Sequence, residues 1–380
     1  MTQNRKITVV FFLPSLEPGG TERNVVNLAN NIDKSKYNVS LVLGIKEGDF
    51  LKEVNSDIPI INLNTYRSIA SFFKLITYFR IHQPDVFVSA FPRVNVICIV
   101  AKIFSKAKTK IIITEHSVFS MLPVIAKSFW RRLFARFFMP TIGSLIYPKA
   151  DSIICVSNGI AVDLLKIVGC KEKIKVIYNP VIDGKIYDLA EKPVSHIWFS
   201  DPKIPIIIAV GRLVECKNYP DLFKSFNLVI KSHPAYLVIL GAGPEIKKLT
   251  ALVQKMNLSQ HITFLGFQEN PFKYMKKASV FVLSSLQEGF GNVIIEAMAC
   301  GTPVVSVNCP TGPGEIIENM KNGILVPVND EKNMASAILR ILNDKNLAKN
   351  FSIEGQKRAE FFSVKRSVQE YEKIFQLLMN

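Results

Sequence analysis

Short runs rich in Val and Ile alternate with helix-length amphipathic stretches through almost the whole chain. The runs show little alternation of polar and apolar residues, as strands do when helices cover both faces of a parallel sheet. They lie at residues 7–13, 39–43, 60–63, 86–90, 111–114, 152–156, 174–177, 206–210, 236–240, 262–265, 280–283, 303–307 and 323–326. This pattern predicts an α/β chain with two Rossmann-like, doubly wound domains.

A stretch that carries prolines and charges separates the two sets of runs. Because the chain has 380 residues, it exceeds the length that one hydrophobic core usually organises. We predict an N-terminal domain over residues 1–180, a linker over 181–204 and a C-terminal domain over 205–363. The remaining residues, 364–380, have the apolar spacing of a last amphipathic helix.

Basic residues outnumber acidic ones, with 47 Lys and Arg against 31 Asp and Glu, and the net charge is +16. Residues 1–190 hold most of this excess, with 25 basic and 14 acidic side chains. A basic surface attracts the phosphates of a nucleic acid, an anionic lipid or a diphosphate substrate. No zinc-finger, recognition-helix or RNA-stacking signature accompanies the basic residues, so we expect no nucleic acid as a partner.

The six cysteines form no C-x-x-C pair and have no histidine at zinc-binding spacing, which favours a reduced, cytoplasmic setting. The apolar run at residues 7–13 is too short for a signal-peptide core or a membrane span. No Asp-x-Asp sequence occurs, so the chain lacks the usual carboxylate clamp for Mn²⁺ or Mg²⁺. We therefore expect neither a metal site nor a cofactor.

A Gly-Gly turn follows the first predicted strand and precedes a helical pattern. Gly19 and Gly20 let the backbone approach a ligand closely, and the helix behind them offers N–H groups to a phosphate. An ordinary strand-to-helix connection is the alternative. The turn lacks the third glycine of G-x-G-x-x-G, which counts against a dinucleotide site.

A basic loop follows the first strand of the predicted C-terminal domain. It reads GRLVECKN over residues 211–218 and places Arg212 and Lys217 where both can reach one diphosphate. Arginine supplies a planar fork of donors, and lysine supplies a point charge. A solvated basic loop would have the same composition.

Two glutamates and a Gly-rich loop form the most specific motif of the chain. The sequence EGFGNVIIEAMACGTPVV begins at Glu288, and Glu296 follows within it. Glu288 stands where a parallel strand ends, which is where open α/β sheets bind ligands. A helix should begin near Asn292, so the loop must fold back to bring the carboxylates together. A carboxylate pair also suits hydrolysis, and the helix dipole alone favours an acid near a helix start.

A histidine follows another strand of the predicted N-terminal domain, in the sequence TEHS at residues 114–117. At that end of the sheet, His116 can hydrogen-bond a sugar hydroxyl or an acceptor. An ordinary half-buried histidine is the alternative.

Taken in chain order, these motifs resemble family 4 of the glycosyltransferases, which has the GT-B fold. The resemblance rests on Gly19-Gly20, on the GRLxxxKN stretch at 211–218 and on Glu288 and Glu296 running into ACGTPVV. It spans most of the chain. It implies a retaining transferase whose two domains face a cleft, with a nucleotide-sugar donor held mainly by the C-terminal domain. It also implies that residues 364–380 cross back to the N-terminal domain.

The resemblance assigns roles to single residues. Arg212 and Lys217 would clamp the donor diphosphate, and Glu296 would accept hydrogen bonds from the ribose hydroxyls. His116 would contact the donor sugar or the acceptor. The expected catalytic set is His116, Arg212, Lys217 and Glu288. The expected donor-binding set is Gly19, Gly20, Arg212, Lys217, Gly243, Phe267, Glu288, Gly289, Phe290, Gly291, Asn292, Val293 and Glu296.

Aromatic and basic side chains mix in residues 118–147, which include Trp130, Arg131, Arg132 and Arg136. This mixture suits the interfacial region of an anionic bilayer, while the charges exclude a membrane span. A helix packed on its own domain is the alternative. From this segment we expect peripheral attachment to the inner face of the cytoplasmic membrane and a lipid-linked or cell-surface glycan precursor as acceptor.

The leading functional hypothesis is transfer of a sugar from a nucleotide-sugar, by resemblance a UDP-sugar, to a hydroxyl of that acceptor. A nucleotide-sugar epimerase of the same fold is one alternative. A non-catalytic module that binds sugar nucleotides or membranes is the other. The presence of Arg212, Lys217, Glu288 and Glu296 together argues against a decayed site.

Overall fold

The computed structural model describes residues 5–66, 70–121, 139–200 and 203–380. The chain divides into two compact units, of which the first is Met1–Pro180 with Val364–Asn380 and the second is Val181–Ser363. Each unit is built on one parallel sheet whose strands alternate with helices along the chain. The predicted fold class, two doubly wound α/β domains, is confirmed.

The first unit contains a seven-stranded parallel sheet. Its strands are β1 Ile7–Leu13, β2 Tyr37–Leu43, β3 Ile60–Asn62, β4 Val86–Ala90, β5 Lys110–Glu115, β6 Ser152–Cys155 and β7 Ile174–Val176. Their order is β3-β2-β1-β4-β5-β6-β7, so the strand order reverses between β1 and β4. At such a switch point the loops that follow the two neighbouring strands diverge and leave a crevice at the carboxyl edge of the sheet.

The second unit contains a six-stranded parallel sheet. Its strands are β8 Ile206–Val210, β9 Tyr236–Leu240, β10 Ile262–Phe264, β11 Val280–Leu283, β12 Val304–Val307 and β13 Ile324–Val326. Their order is β10-β9-β8-β11-β12-β13, so the reversal lies between β8 and β11. The loops after β8 and β11 carry the basic motif and the Gly-rich motif, which places both motifs at the switch point.

Helices connect successive strands in both units. Those that lie wholly within the described residues are α1 Gly20–Asn31, α2 Ser71–His82, α3 Pro92–Ser105, α4 Asn158–Val168, α5 Lys185–Ala190, α6 Tyr219–Val229, α7 Ile246–Lys255, α8 Phe272–Lys277, α9 Asn292–Ala299, α10 Pro313–Ile316, α11 Glu331–Asn343, α12 Lys345–Glu360 and α13 Val364–Met379. Side chains cap several of their starts. Ser157 accepts a hydrogen bond from the backbone of Ile160 at the start of α4, and Asp330 caps α11 in the same way.

The last helix, α13, packs on the first unit although it follows the second unit in the chain. Its buried side chains recur at helical spacing and are Val364, Ser367, Val368, Tyr371 and Phe375. The apolar ones join the core formed by β1, β2 and α1. The ring of Phe375 lies 5.7 Å from that of Tyr37, and the backbone N–H of Asp33 donates to Glu372 at 2.8 Å.

The stretch 181–204 differs from the linker that its prolines and charges predict, because it contains α5 and lies within the second unit. The side-chain amide of Asn270 donates to the carbonyl of Leu189 at 2.8 Å. The ring of Trp198 stacks on that of Tyr236, with centroids 4.3 Å apart. These contacts make the stretch an integral part of the second unit, apart from residues 201–202, which lie outside the described residues.

No helix within the described residues is long and apolar enough to cross a bilayer. The aromatic and basic segment predicted to meet a membrane covers residues 118–147. Residues 122–138 of this segment, with Trp130, Arg131, Arg132 and Arg136, lie outside the described residues.

Candidate functional site

The loops after β8 and β11 are joined by hydrogen bonds at the switch point of the second sheet. The backbone N–H of Leu286 donates to the carbonyl of Cys216 at 2.8 Å, and the hydroxyl of Ser284 donates to the carbonyl of Lys217 at 2.8 Å. β8 and β11 are neighbours in the sheet, so their following loops start side by side. The sheet topology thus brings together two motifs that are far apart in the sequence.

An ion pair links the two motifs. The Nζ atom of Lys217 donates to Oε1 of Glu288 at 2.5 Å, although the residues are 71 positions apart. The two side chains are only 18% and 12% exposed, so solvent screens their attraction less than it screens a surface pair. Burial, and to a smaller extent the charge of Glu288, raise the pKa of Tyr219, whose hydroxyl donates to the carbonyl of Gly211 at 3.1 Å. Because its Nζ atom is paired with Glu288 and its side chain is only 18% exposed, the ammonium group of Lys217 is held in a fixed, half-buried place.

Arg212 is exposed on an anchored part of the same loop. The side chain of the next residue, Leu213, is fully buried, and its backbone N–H donates to the carbonyl of Ala242 at 2.9 Å. The carbonyl of Leu213 accepts from the N–H of Glu245 at 3.1 Å. The guanidinium group is thus open to a ligand while its backbone is held.

Glycines allow the loops after β8 and β9 to pack backbone against backbone. A Cβ atom at Gly241, whose φ is +140°, would lie 1.9 Å from the carbonyl oxygen of Gly211, and one at Gly243 would lie 2.3 Å from that of Leu213. The N–H of Gly241 also donates to the carbonyl of Gly266 at 2.8 Å. Phe267, directly after Gly266, is 51% exposed. The structure therefore brings the predicted residues Gly243 and Phe267 into loops tied to the basic loop.

The Gly-rich loop leads into α9, which begins at the predicted residue, Asn292. Its N-cap residue, Gly291, has no side chain to cap the helix start, and helix starts favour anions through their N–H groups. The hydroxyl of Thr311 donates to the carbonyl of Glu288, and the buried ring of Phe290 packs on that of Phe362 at 5.4 Å. The other predicted members of this segment, Gly289, Gly291 and Val293, lie between these anchored positions or in the first turn of the helix.

Glu296 lies in the second turn of α9 and is half-buried. Glu296 precedes Cys300 by one helical turn. Burial, with a smaller contribution from the charge of Glu296, raises the pKa of the Cys300 thiol to about 12. Glu288 and Glu296 therefore lie on a loop and on the helix that follows it, rather than on one helix face.

Gly19 and Gly20 lie at the switch point of the first sheet, between β1 and α1. Gly19 is the N-cap residue of α1, and its φ of −161° is an extended conformation that any residue adopts. Gly20 is exposed, and Gly19 brings no side chain of its own to the helix start. A Cβ atom at Gly19 would lie 2.2 Å from Oε2 of Glu22, so the glycine leaves room for that carboxylate beside the first turn of α1.

His116 follows β5 in the first unit and is half-buried. Its Nε2 atom lies 3.1 Å from the hydroxyl of Thr114, and burial lowers its pKa to about 4. The imidazole is therefore neutral at pH 7. With Phe12, Ala90 and Asn179, His116 lines a small crevice of about 10 Å³ at the ends of β1, β4 and β5.

Sequence reasoning missed a buried carboxyl next to His116. The Glu115 side chain is fully buried, and its Oε1 atom accepts from Nδ2 of Asn95 at 2.7 Å and from the hydroxyl of Tyr147 at 2.5 Å. Burial raises the pKa of Glu115 to about 7, although both donors oppose this shift. Asn95 also donates to the carbonyl of Thr114 at 3.0 Å. The signal in the sequence is a lone acid at the end of the apolar run IIIT.

Within the described ranges, no group of three or more His, Cys, Asp or Glu side chains is placed to hold a metal ion. The positive charge of the site comes from Arg212 and Lys217. Metal independence stays a prediction.

Two doubly wound parallel sheets, with glycine-bearing and basic loops at their switch points, define the GT-B class of α/β enzymes. Residues 18–183 match the family model described as Glycosyltransferase Family 4, and residues 194–358 match that described as Glycosyl transferases group 1. The N-acetylgalactosamine-N,N'-diacetylbacillosaminyl-diphospho-undecaprenol 4-alpha-N-acetylgalactosaminyltransferase of Campylobacter jejuni is 31% identical over 363 residues, which cover 92% of this chain and 94% of the relative. The chain belongs to glycosyltransferase family 4 and is a glycosyltransferase of the hexosyl type.

Further relatives agree with this assignment. A second Campylobacter jejuni enzyme, an alpha-1,4-N-acetyl-D-galactosaminyltransferase named for a diNAcBac-PP-undecaprenol-linked glycan, is 26% identical over 98% of this chain and 99% of its own. Among solved structures, Anabaena Alr3699/HepE in complex with UDP-glucose has a TM-score of 0.82 at 19% identity, covering 97% of this chain and 99% of that chain. WaaG, a glycosyltransferase involved in lipopolysaccharide biosynthesis, has a TM-score of 0.75 at 16% identity, covering 97% and 99%. At such identities the solved structures show the shared fold.

Proposed function

We propose that this glycosyltransferase moves a sugar from a UDP-sugar to a hydroxyl of a lipid-linked glycan precursor, with retention at the anomeric carbon. The observation that carries the proposal is the half-buried Lys217–Glu288 ion pair at the switch point of the second sheet, with Arg212 exposed on the same loop. Fixed positive charge at this edge suits the diphosphate of a nucleotide sugar. The Campylobacter jejuni relative named for a diphospho-undecaprenol acceptor and the Anabaena complex with UDP-glucose support the choice of acceptor and donor.

The donor is bound by the loops at the carboxyl edge of the second sheet. Arg212 and Lys217 bind the two phosphates, the arginine through paired N–H groups and the lysine through one charge. The start of α9, whose N-cap residue is Gly291, offers backbone N–H groups to the same phosphates. Glu296 accepts hydrogen bonds from the ribose hydroxyls, and Gly243 and Phe267 lie beside the base and the ribose.

The reaction breaks the bond between the anomeric carbon and the phosphate oxygen, and negative charge builds up on the departing diphosphate. Arg212 and Lys217 stabilise this charge, which is greater in the transition state than in the bound donor. The acceptor hydroxyl attacks from the same face that the phosphate leaves, and its proton passes to a phosphate oxygen. No protein nucleophile is needed, so catalysis consists of positioning and electrostatics.

Two further side chains orient the sugars. Glu288 accepts a hydrogen bond from a hydroxyl of the donor sugar while it fixes the ammonium group of Lys217. His116, neutral because burial lowers its pKa to about 4, hydrogen-bonds a donor-sugar or acceptor hydroxyl without adding charge.

Donor screening and acceptor dependence test the proposed function. A UDP-sugar should raise the midpoint of thermal unfolding more than a GDP-sugar or an ADP-sugar, since a ligand at 100 times its Kd adds about 2.7 kcal/mol of stability. UDP should then be released only when the lipid-linked acceptor is present. Interconversion of the donor sugar without acceptor would indicate an epimerase. Binding without turnover of any donor would indicate a non-catalytic module.

We further propose that the protein attaches to the inner face of the cytoplasmic membrane as a peripheral protein. The basic and aromatic composition of residues 118–147 supports this, as do the undecaprenol-linked acceptors in the names of two relatives. Changing Arg131, Arg132 and Arg136 together to Glu should weaken binding to anionic vesicles strongly, because each basic residue near such a surface contributes about 1 kcal/mol. Unchanged binding of this triple variant would remove the segment as a membrane contact.

A further inference from the structure

The loop that follows β12, residues 308–312, packs against the backbone of the Gly-rich loop. The buried hydroxyl of Thr311 donates a hydrogen bond to the carbonyl of Glu288. Next to it, a Cβ atom at Gly312 would lie 2.1 Å from the carbonyl oxygen of Phe290, and the φ of Gly312 is +91°. Only glycine adopts that φ readily and allows so close an approach. A hydrogen bond and a backbone contact therefore join the two loops.

The loop after β12 is itself anchored at both ends. Before it, the backbone N–H of Asn308 donates to the carbonyl of Val326 at 2.8 Å, which continues the pairing of β12 with β13. After it, the guanidinium group of Arg358 donates to the carbonyls of Glu315 and Ile316 in α10, at 2.6 and 3.0 Å. The loop thus offers the Gly-rich loop a fixed support.

The Gly-rich loop needs such a support because of its composition. Gly289 and Gly291 flank its central residue, and glycine restricts the backbone less than any other residue. Glu288, directly before Gly289, is held at two points. Lys217 donates to its carboxylate, and Thr311 donates to its main-chain carbonyl. Side chain and backbone of one glutamate are therefore fixed by two different loops.

We propose that Thr311 is a positioning residue that sets the place of Glu288 against the donor sugar. The proposal rests on the proposed function, in which Glu288 accepts a hydrogen bond from a hydroxyl of that sugar. Without the bond from Thr311, the peptide after Glu288 turns freely at Gly289, and the carboxylate no longer has one position. Hydrogen bonds to a ligand depend on such positioning, because a supporting group that is out of place by about 1 Å loses most of its effect.

A purely stabilising role is the alternative, and Thr302 provides the control for it. The hydroxyl of Thr302 is also buried and donates to the carbonyl of Met275 at 2.6 Å, in α8 of the same unit. Thr311→Val and Thr302→Val each remove one buried hydrogen bond with little change in side-chain shape. Both should lower the midpoint of thermal unfolding by a similar amount, about 2–4 °C. The two variants should differ in how they bind the donor.

Isothermal titration calorimetry with two probes makes that comparison. The probes are UDP and the UDP-sugar that most raises the unfolding midpoint of the natural chain. Thr311→Val should raise the ratio of the Kd for the UDP-sugar to the Kd for UDP by about threefold or more, because a hydrogen bond to the sugar is lost. Thr311→Ser keeps the hydroxyl and should retain the natural ratio. Thr302→Val should also retain it.

A double variant tests whether Thr311 acts through Glu288. Glu288→Ala alone should raise the same ratio of dissociation constants, because it removes the acceptor of the sugar hydroxyl. Glu288→Ala/Thr311→Val should then give the ratio of Glu288→Ala, since a positioning residue has no effect on the sugar once the group that it positions is gone.

Two outcomes would overturn this role of Thr311 and leave the proposed function intact. One is a natural ratio in Thr311→Val, or an equal rise in Thr302→Val, either of which would make the hydroxyl an ordinary stabilising group. The other is a further rise in the double variant, which would mean that Thr311 acts independently of Glu288. If no UDP-sugar raises the unfolding midpoint of the natural chain, the proposed donor is wrong, and the role of Thr311 falls with it.

Discussion

At the scale of residues, Lys217 and Glu288 form a linked pair, and we propose that its two members act on different parts of the donor. The pair has an Nζ–Oε1 distance of 2.5 Å and is largely shielded from solvent. A sequence motif can name each residue, but only the neighbouring positions of β8 and β11 bring them together.

Lys217→Ala and Arg212→Ala should each lower kcat by about 10²-fold or more, because each removes charge that stabilises the departing diphosphate. Steady-state kinetics with saturating donor measures this, and circular dichroism checks that the fold is intact. Lys248→Ala is the matched control, since Lys248 is 72% exposed and pairs only with Glu245 of the same unit among the described residues. A near-normal kcat for either site variant would contradict the proposal that Arg212 and Lys217 stabilise the departing diphosphate.

Glu115 should make the first unit less stable as the pH rises. Burial raises its pKa from 4.5 to about 7, so between these values the folded chain binds more protons than the unfolded chain. Below pH 4.5 both states are protonated, and above pH 7 the folded state bears the full cost of a buried charge, about 3 kcal/mol. The free energy of unfolding should therefore fall as the pH rises from 4.5 to 7.

Glu115→Gln isolates this contribution. Oε2 of Glu115 has no hydrogen-bond partner among the described residues, so an amide nitrogen can replace it without breaking a bond, and Oε1 still accepts from Asn95 and Tyr147. Chemical denaturation at pH 5 and pH 8 should show a smaller loss in the variant than in the natural chain. His116 titrates in the opposite sense, but it does so in both proteins and cancels in the difference. Equal losses in the two proteins would mean that Glu115 is ionised when folded.

At the scale of elements, the loops at the carboxyl edge of the second sheet depend on backbone packing. Gly241→Ala should destabilise the second unit by about 3 kcal/mol or more, because the new Cβ meets the carbonyl of Gly211 and the φ of +140° disfavours a side chain. Gly184→Ala is the control, since nothing lies within 4 Å of a Cβ there. Urea unfolding compares the two variants. Equal midpoints would contradict the steric argument.

The sequence predicted the elements well where one local signal decides them. The runs at 7–13, 86–90 and 280–283 match their strands, because strands buried on both faces are uniformly apolar. The run at 39–43 begins later than β2, which starts at Tyr37, since the exposed Asn38 separates Tyr37 from the apolar run. The prolines and charges of the stretch 181–204 predict a linker. Its place in the second unit could not be predicted, because its contacts depend on partners distant in the chain.

The candidate site, too, could be predicted only in part from the sequence. Arg212, Lys217 and Glu288 could be named because their motifs are local and their spacing is specific. The Lys217–Glu288 bond could not, because it requires the strand order of the second sheet. The network around Glu115 could not be predicted either, because Asn95 and Tyr147 come from separate parts of the chain.

At the scale of the whole molecule, we predict that the enzyme needs no metal ion, because the cationic side chains of the proposed donor site can supply the charge that Mn²⁺ or Mg²⁺ supplies in other transferases. Initial rates in EDTA should equal those in its absence. Addition of Mn²⁺ or Mg²⁺ afterwards should not raise them. A loss of activity in EDTA that Mn²⁺ reverses would show that a metal ion takes part.

The central claim is that the chain transfers a sugar from a UDP-sugar to a lipid-linked acceptor and keeps the anomeric configuration. Proton NMR of the reaction, with the UDP-sugar and a water-soluble short-chain polyprenyl diphosphate glycan as acceptor, measures this directly. We predict one equivalent of UDP for each new glycosidic bond, and an anomeric coupling constant of the product that matches that of the donor. A product with the inverted configuration, or consumption of the donor without a new glycosidic bond, would contradict it.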